Sequence, residues 1–274
     1  MIPPFVDAEF VAEHPEAVLA DVRWYLDGRD GKAAFEAGHI AGAIWVDLDH
    51  QLAGHDQPAT EGRHPFPTPE QFAASMGELG IANGTLVVAY DDTGGLTAGR
   101  LAVMLRMIGG DAAVLVGGLG AWTGPIETGE GRTPSPAEFT AVEWPEDRLA
   151  TADDVVKILN DGGSAIDARS RERFVGSVAQ IDKQPGHIPG ARSAPWSEVL
   201  ADDMLPKSPE DLRDHYRQLG IDGGHEVVAY CGSGVSACMN LLAMEHAGLT
   251  APRLYVASWS GWSADPNREA ATGE

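Results

Sequence analysis

Val227-Val228-Ala229-Tyr230-Cys231-Gly232-Ser233-Gly234-Val235-Ser236-Ala237 is the stretch whose reading decides the fold. Its first four residues are apolar and rich in β-branching, long enough for a buried strand and too short for a helix. Cys231 follows at once, two glycines interrupt regular structure, and Val235 to Ala247 reads as a helix stopped by Gly248. Strand, short loop and helix in this order form the unit of an open parallel sheet, whose ligands bind beyond the carboxyl ends of the strands. Cys231 stands at that place. Gly232 and Gly234 allow the backbone to curl so that successive N–H groups point inward and make an anion-binding nest. The start of the following helix adds unpaired donors and the positive end of its dipole. Together these favour the thiolate of Cys231 and would hold the charge of a terminal sulfur attached to it. A free cysteine is often buried and inert; the coincidence of strand, double-glycine loop and helix argues for chemistry here instead.

The same unit occurs twice. Asp21-Val22-Arg23 matches Asp167-Ala168-Arg169, an offset of 167 − 21 = 146 residues. Gly38-His39-Ile40-Ala41-Gly42-Ala43 matches Gly186-His187-Ile188-Pro189-Gly190-Ala191, an offset of 186 − 38 = 148. Val87-Val88-Ala89-Tyr90-Asp91 matches Val227-Val228-Ala229-Tyr230-Cys231, and Val114-Leu115-Val116 before Trp122 matches Leu254-Tyr255-Val256 before Trp262, both offset by 227 − 87 = 140. Solenoid repeats run roughly 20 to 50 residues, so this period describes two domains. The expected division is 1–126, a linker over 127–148 rich in glycine and proline, and 149–274. Further elements fit an alternating pattern: a helix from Ala152 to Leu159, a strand Ala165-Ile166-Asp167, and a helix capped by Ser208-Pro209 that ends at Gly220. The fold class expected is α/β, two tandem domains, each a mainly parallel sheet with helices on both faces.

The first-half counterpart of Cys231 is Asp91, which cannot carry a sulfur. Only the second half is therefore expected to be catalytic. His39 and His187 recur in both halves and are read as structural. Cys238, seven positions after Cys231, is read as a helix residue packed on the sheet.

Composition narrows the function classes. The 274 residues are 43% hydrophobic and carry 41 acidic against 19 basic side chains, a formal charge of 19 − 41 = −22. So negative a surface repels phosphate backbones and anionic headgroups, which excludes nucleic acid and membrane as expected partners. No apolar run approaches the roughly 18 to 20 residues that span a bilayer, and the N-terminus shows no signal peptide. Two cysteines make neither a disulfide framework nor a cysteine-based zinc site, and a reducing, cytoplasmic setting is expected. Cysteine-dependent phosphatases place an arginine six residues after the nucleophile to clamp phosphoryl oxygens. Here that residue is Ala237, and no arginine occurs between Cys231 and Arg253.

In these residues the chain resembles the two-domain rhodanese-like sulfurtransferases. The resemblance rests on the paired Asp-x-Arg and Gly-His-Ile-x-Gly-Ala motifs, the Cys231 loop, and Ser258-Trp259-Ser260-Gly261-Trp262, and it covers essentially the whole chain. It implies transfer of a sulfane sulfur through a Cys231 persulfide, with no metal or organic cofactor. The loop Gly232, Ser233, Gly234, Val235, Ser236 and Ala237 is similar to that of the mercaptopyruvate type, with Ser236 in place of threonine. The thiosulfate type carries basic residues after the cysteine instead. The implied donor is 3-mercaptopyruvate and the implied acceptor cyanide, a thiol or a thioredoxin-like protein. The alternatives are a thiosulfate:cyanide sulfurtransferase and a non-catalytic persulfide carrier. The resemblance assigns donor-carboxylate binding to Arg173. A second arginine expected near Gln180-Ile181-Asp182-Lys183 is missing, and whether Lys183 replaces it stays open in the sequence. It also implies a proton-handling set of Asp49, His64 and Ser233 beside Cys231.

Overall fold

Three short apolar tetrads, Val87–Tyr90, Ala112–Leu115 and Val227–Tyr230, lie wholly buried within the two sheets. In a computed structural model, residues 2–178 and 181–274 are described. They cluster into two units. The first comprises residues up to His55, Phe66–Trp144 and Asp202–Leu205. The second comprises Asp56–Pro65, Pro145–Ala201 and Pro206–Glu274. This division differs from a simple cut in the chain. Asp56–Pro65, early in sequence, clusters with the second unit, and the segment expected as a linker stays with the first as far as Trp144. The reason is local. Within the first unit that segment is tied down by Gly129 N–H to Glu36 O at 2.8 Å, Ala137 N–H to Gly77 O at 2.9 Å, and Trp144 Nε1–H to Pro67 O at 2.8 Å.

The first unit contains strands β1 (Phe5–Val6), β2 (Val18–Asp21), β3 (His39–Ile40), β4 (Ile44–Trp45), β5 (Val87–Tyr90), β6 (Ala112–Leu115) and β7 (Ile126–Glu127). Five of them form a parallel sheet in the order β1-β6-β5-β2-β4, while β3 and β7 pair antiparallel. The second unit contains β8 (Leu149–Ala150), β9 (Ser164–Asp167), β10 (Arg192–Ser193), β11 (Val227–Tyr230) and β12 (Arg253–Tyr255). These form a parallel sheet in the order β10-β9-β11-β12-β8. Crossover helices accompany the strands in both units, as parallel pairing requires. The α/β expectation and the repeat are both realised. No helix among the described residues is long and apolar enough to cross a membrane.

The repeated motifs do the same work in each unit. In β2 and β5, Asp21 lies opposite Tyr90; in β9 and β11, Asp167 lies opposite Tyr230. Arg23 forks onto Asp21 and reaches Gly38 O at 2.8 Å, and Arg169 forks onto Asp167 and reaches Gly186 O at 2.7 Å. His39 donates Nδ1–H to Phe35 O and stacks on that ring at 3.8 Å; His187 does the same with Phe174 at 3.7 Å. These two histidines are structural, as expected. The Ser208 N-cap is the one the sequence indicates, accepting from Asp211 N, and a capping box of Thr151 and Asp154 starts the helix at Ala152. The helix after Cys231 runs Ala237–His246, two residues later than expected. Val235 and Ser236 stay in the loop, and the first bonds they accept are the short ones from Cys238 and Met239.

Candidate active site

Cys231 leaves β11 at its carboxyl end and is 1% exposed. Its backbone is clamped by the segment after β12. Ser258 Oγ accepts from Cys231 N–H at 3.0 Å while donating to Tyr255 O, and Trp259 N–H and Ser260 N–H bind the carbonyls of Cys231 and Gly232. Ser258 is fully buried and adopts a left-handed backbone, φ 53°, uncommon for a residue with a side chain. That strain is offset by two buried hydrogen bonds that fix where the Cys231 backbone leaves the strand.

The loop then turns through Gly234, φ 74°. The N–H groups of Ser233, Val235, Ser236 and Ala237 donate to no other described residue. What such a ring of donors does is visible in the first unit. There the Asp91 carboxylate accepts from Thr93 N, Gly95 N, Thr97 N, Thr97 Oγ1 and Ala98 N at 2.8–3.0 Å. The first unit thus supplies its own anion, Asp91, to the loop that in the second unit begins with Cys231.

Gly232 does not use a left-handed φ, and it borders a crowded point. A Cβ there would lie 3.0 Å from Arg63 Nη2 and 3.1 Å from Arg173 Nη2. Two guanidiniums therefore converge beside Cys231. Both are held by Asp182, a buried carboxylate. Arg173 donates Nε–H and Nη2–H to Asp182 Oδ2 at 3.0 and 2.6 Å, Arg63 Nη1 lies 3.4 Å from Oδ1, and Arg169 Nη1 lies 3.3 Å from Oδ2. Burial lowers the Arg63 pKa below the ordinary guanidinium value; Arg173 acts in the same direction, and Asp182 and Cys231 oppose it. For Arg169, burial is outweighed by Asp167, Tyr230 and Asp182, and the net shift is upward.

Arg63 and Asp182 were not singled out by the sequence. Arg63 arrives because Gly62, φ 84°, packs against Ala257 and the N–H of Arg63 binds Ser260 Oγ at 3.1 Å. Lys183, the candidate for a replacement cation, is exposed and forms no ion pair among the described residues; Gln180 lies outside them. The second guanidinium comes instead from a segment distant in sequence, and only the Gly62-Arg63-His64 adjacency hinted at it.

His64 sits beside Arg63, buried, with Nδ1 2.7 Å from Ser233 Oγ. His64 and Ser233, two of the expected proton-handling set, are hydrogen-bonded within the second unit. Asp49, in the short helix Leu48–Gln51 of the first unit, accepts from Trp24 Nε1–H through Oδ2 at 2.8 Å. Cys238 is buried in the helix and its Sγ lies 3.4 Å from Gly234 O, a weak donor that buttresses the loop.

The rhodanese-like domain family matches residues 8–125 and 151–265. The human 3-mercaptopyruvate sulfurtransferase is 35% identical over 275 residues, covering 94% of this chain and 91% of that protein. A Mycobacterium tuberculosis protein, SseB, provisionally named as a thiosulfate sulfurtransferase, is 38% identical and covers 96% of this chain and 93% of that one. Among solved structures, SseA from Escherichia coli, a 3-mercaptopyruvate sulfurtransferase of the rhodanese fold, superposes with a TM-score of 0.81 at 30% identity, covering 94% of this chain and 99% of that chain.

Proposed function

This chain belongs to the rhodanese-like family, and on that premise we propose that it moves a sulfane sulfur from 3-mercaptopyruvate through a Cys231 persulfide to a thiophilic acceptor, releasing pyruvate. The Cys231 thiolate attacks the donor's thiol sulfur. The carbon–sulfur bond breaks, its electron pair leaves as the enolate of pyruvate, and a persulfide remains on Cys231. The loop N–H groups hold the terminal sulfur's charge as an oxyanion hole holds oxygen. The donor's carboxylate lies on the Arg63 and Arg173 guanidiniums, whose planar forks suit it.

The observation that carries the choice of donor is the 2.7 Å hydrogen bond between Ser233 Oγ and His64 Nδ1. An enolate must take up a proton to leave as pyruvate, and the Ser233–His64 pair is a route for it. Sulfite leaving from thiosulfate departs as an anion and needs none. One observation favours the second reading, thiosulfate:cyanide transfer: two guanidiniums beside the nucleophile also attract a dianion. The part assigned to Asp49 is to orient a proton-handling histidine, and Asp49→Asn kinetics test it.

The acceptor is a small thiol or a thioredoxin-like dithiol protein in the cytoplasm, where a free thiol persists. Initial rates with each donor decide the function. Pyruvate release with a kcat/KM above that for thiosulfate is expected, and the reverse order would overturn the donor assignment. Intact mass should gain one sulfur after donor and lose it after acceptor; no gain would remove the enzyme reading altogether.

A further inference from the structure

We propose that Asp182 sets the donor preference of this site by tying its arginines together and cancelling one of their charges; the inference rests on the sulfurtransferase reading above. One buried carboxylate accepts from, or pairs with, three guanidiniums: Arg63 at 3.4 Å, Arg169 at 3.3 Å and Arg173 at 2.6 Å. Arg169 is already matched by Asp167 at 2.6 Å. The cluster of Arg63, Arg169 and Arg173 with Asp167 and Asp182 therefore carries 3 − 2 = +1. One net positive charge is complementary to one carboxylate. A dianion of similar size would be held better by two.

Geometry makes Asp182 a positioning residue as well. Arg63 and Arg173 repel each other, and their tips nevertheless lie within 3.1 Å of one point above Gly232. Two cations gather at one point only around a counter-ion, and Asp182 is the carboxylate both of them pair with among the described residues. Its side chain is 1% exposed, so solvent screens the arrangement little. Asp182 does not touch the reacting sulfur; it acts through the arginines.

The test is the ratio of kcat/KM for thiosulfate to that for 3-mercaptopyruvate. Asp182→Asn raises the cluster from +1 to +2. Both donors are expected to lose kcat/KM as the arginines loosen, while the ratio rises about tenfold. That size corresponds to one extra unit charge acting over about 8 Å at an effective dielectric constant between about 20 and that of water. Asp182→Glu keeps the charge and should leave the ratio near wild type. Arg63→Gln lowers the cluster to zero and should move the ratio the other way, which keeps the proposal testable should Asp182→Asn fail to fold. An unchanged ratio in Asp182→Asn, or shifts of the same sign in Asp182→Asn and Arg63→Gln, overturns the proposal. A wild type that prefers thiosulfate refutes the donor assignment instead, and the ratio in the variants remains readable.

Discussion

Replacing Gly232 by alanine adds a methyl group at the point where the two guanidiniums meet. The new Cβ would lie 3.0 Å from Arg63 Nη2, and 3.1 and 3.4 Å from the two Nη atoms of Arg173. Unstrained contact between such heavy atoms begins near about 3.5 Å, so each guanidinium must retreat by about 0.5 Å. Arg63, at 31% side-chain exposure and a long 3.4 Å from Asp182, can swing aside. Arg173 is gripped at 2.6 Å and can move only by straining that pair. A donor carboxylate then loses most of one charge-assisted hydrogen bond, about 1.5 kcal/mol, which is about a tenfold rise in KM. Cys231 itself stays where Ser258, Trp259 and Ser260 hold it, so kcat should change less than threefold. Steady-state pyruvate release over a range of 3-mercaptopyruvate, with cyanide saturating, reads both constants. A KM within twofold of wild type, with kcat reduced instead, would refute the reasoning, because it would mean the guanidiniums do not hold the donor.

Cys231→Ser should abolish turnover and sulfur loading by intact mass, whereas Cys238→Ser, whose hydroxyl can still reach Gly234 O, should keep more than half of the activity. Asp91→Asn turns one acceptor oxygen into a donor facing N–H groups in a buried loop. It should destabilise the first unit by about 3 kcal/mol, seen as a lower urea midpoint for that unit with the Cys231 chemistry retained. Stability should also fall in mild acid. Burial, the largest effect, lowers the His215 pKa below its ordinary 6.5, with Lys207 adding to it and Glu198 opposing it. The folded protein thus binds this proton less readily than the unfolded chain. The contribution is full above about pH 6.5 and is lost as pH falls below that value toward the folded pKa. Tm at pH 7.5, 6.0 and 5.0 should drop more in wild type than in His215→Gln; parallel falls would assign the acid sensitivity elsewhere.

Periodicity and punctuation were sufficient for the architecture. The two Val-Val-Ala-Tyr tetrads, the paired Asp-x-Arg and Gly-His-Ile motifs and the helix capped by Ser208 are local signals, each set by residues within a few positions of one another. For that reason the parallel sheets, a cysteine at a strand's carboxyl end and Asp91 at the matching position could all be read in the chain. The start of the helix at Ala237 could not, because only the loop's own hydrogen bonds show that Val235 and Ser236 remain outside it.

The Cys231 loop was legible as a site from eleven consecutive residues, and its nest of N–H groups follows from the glycine spacing and the helix behind it. Its partners were not legible in the same way. His64 meets Ser233 across 169 residues, and Arg63 reaches Asp182 across 119. The segment that brings them, Asp56–Pro65, has no periodicity to betray where it packs. It is placed by Gly62 against Ala257 and by Ser260 against the Arg63 N–H. Local propensity determines which backbone forms where. The charge and proton chemistry around the nucleophile is a sum over side chains that only tertiary packing brings within a few ångströms, and Coulomb and hydrogen-bond energies depend on those distances and not on sequence separation.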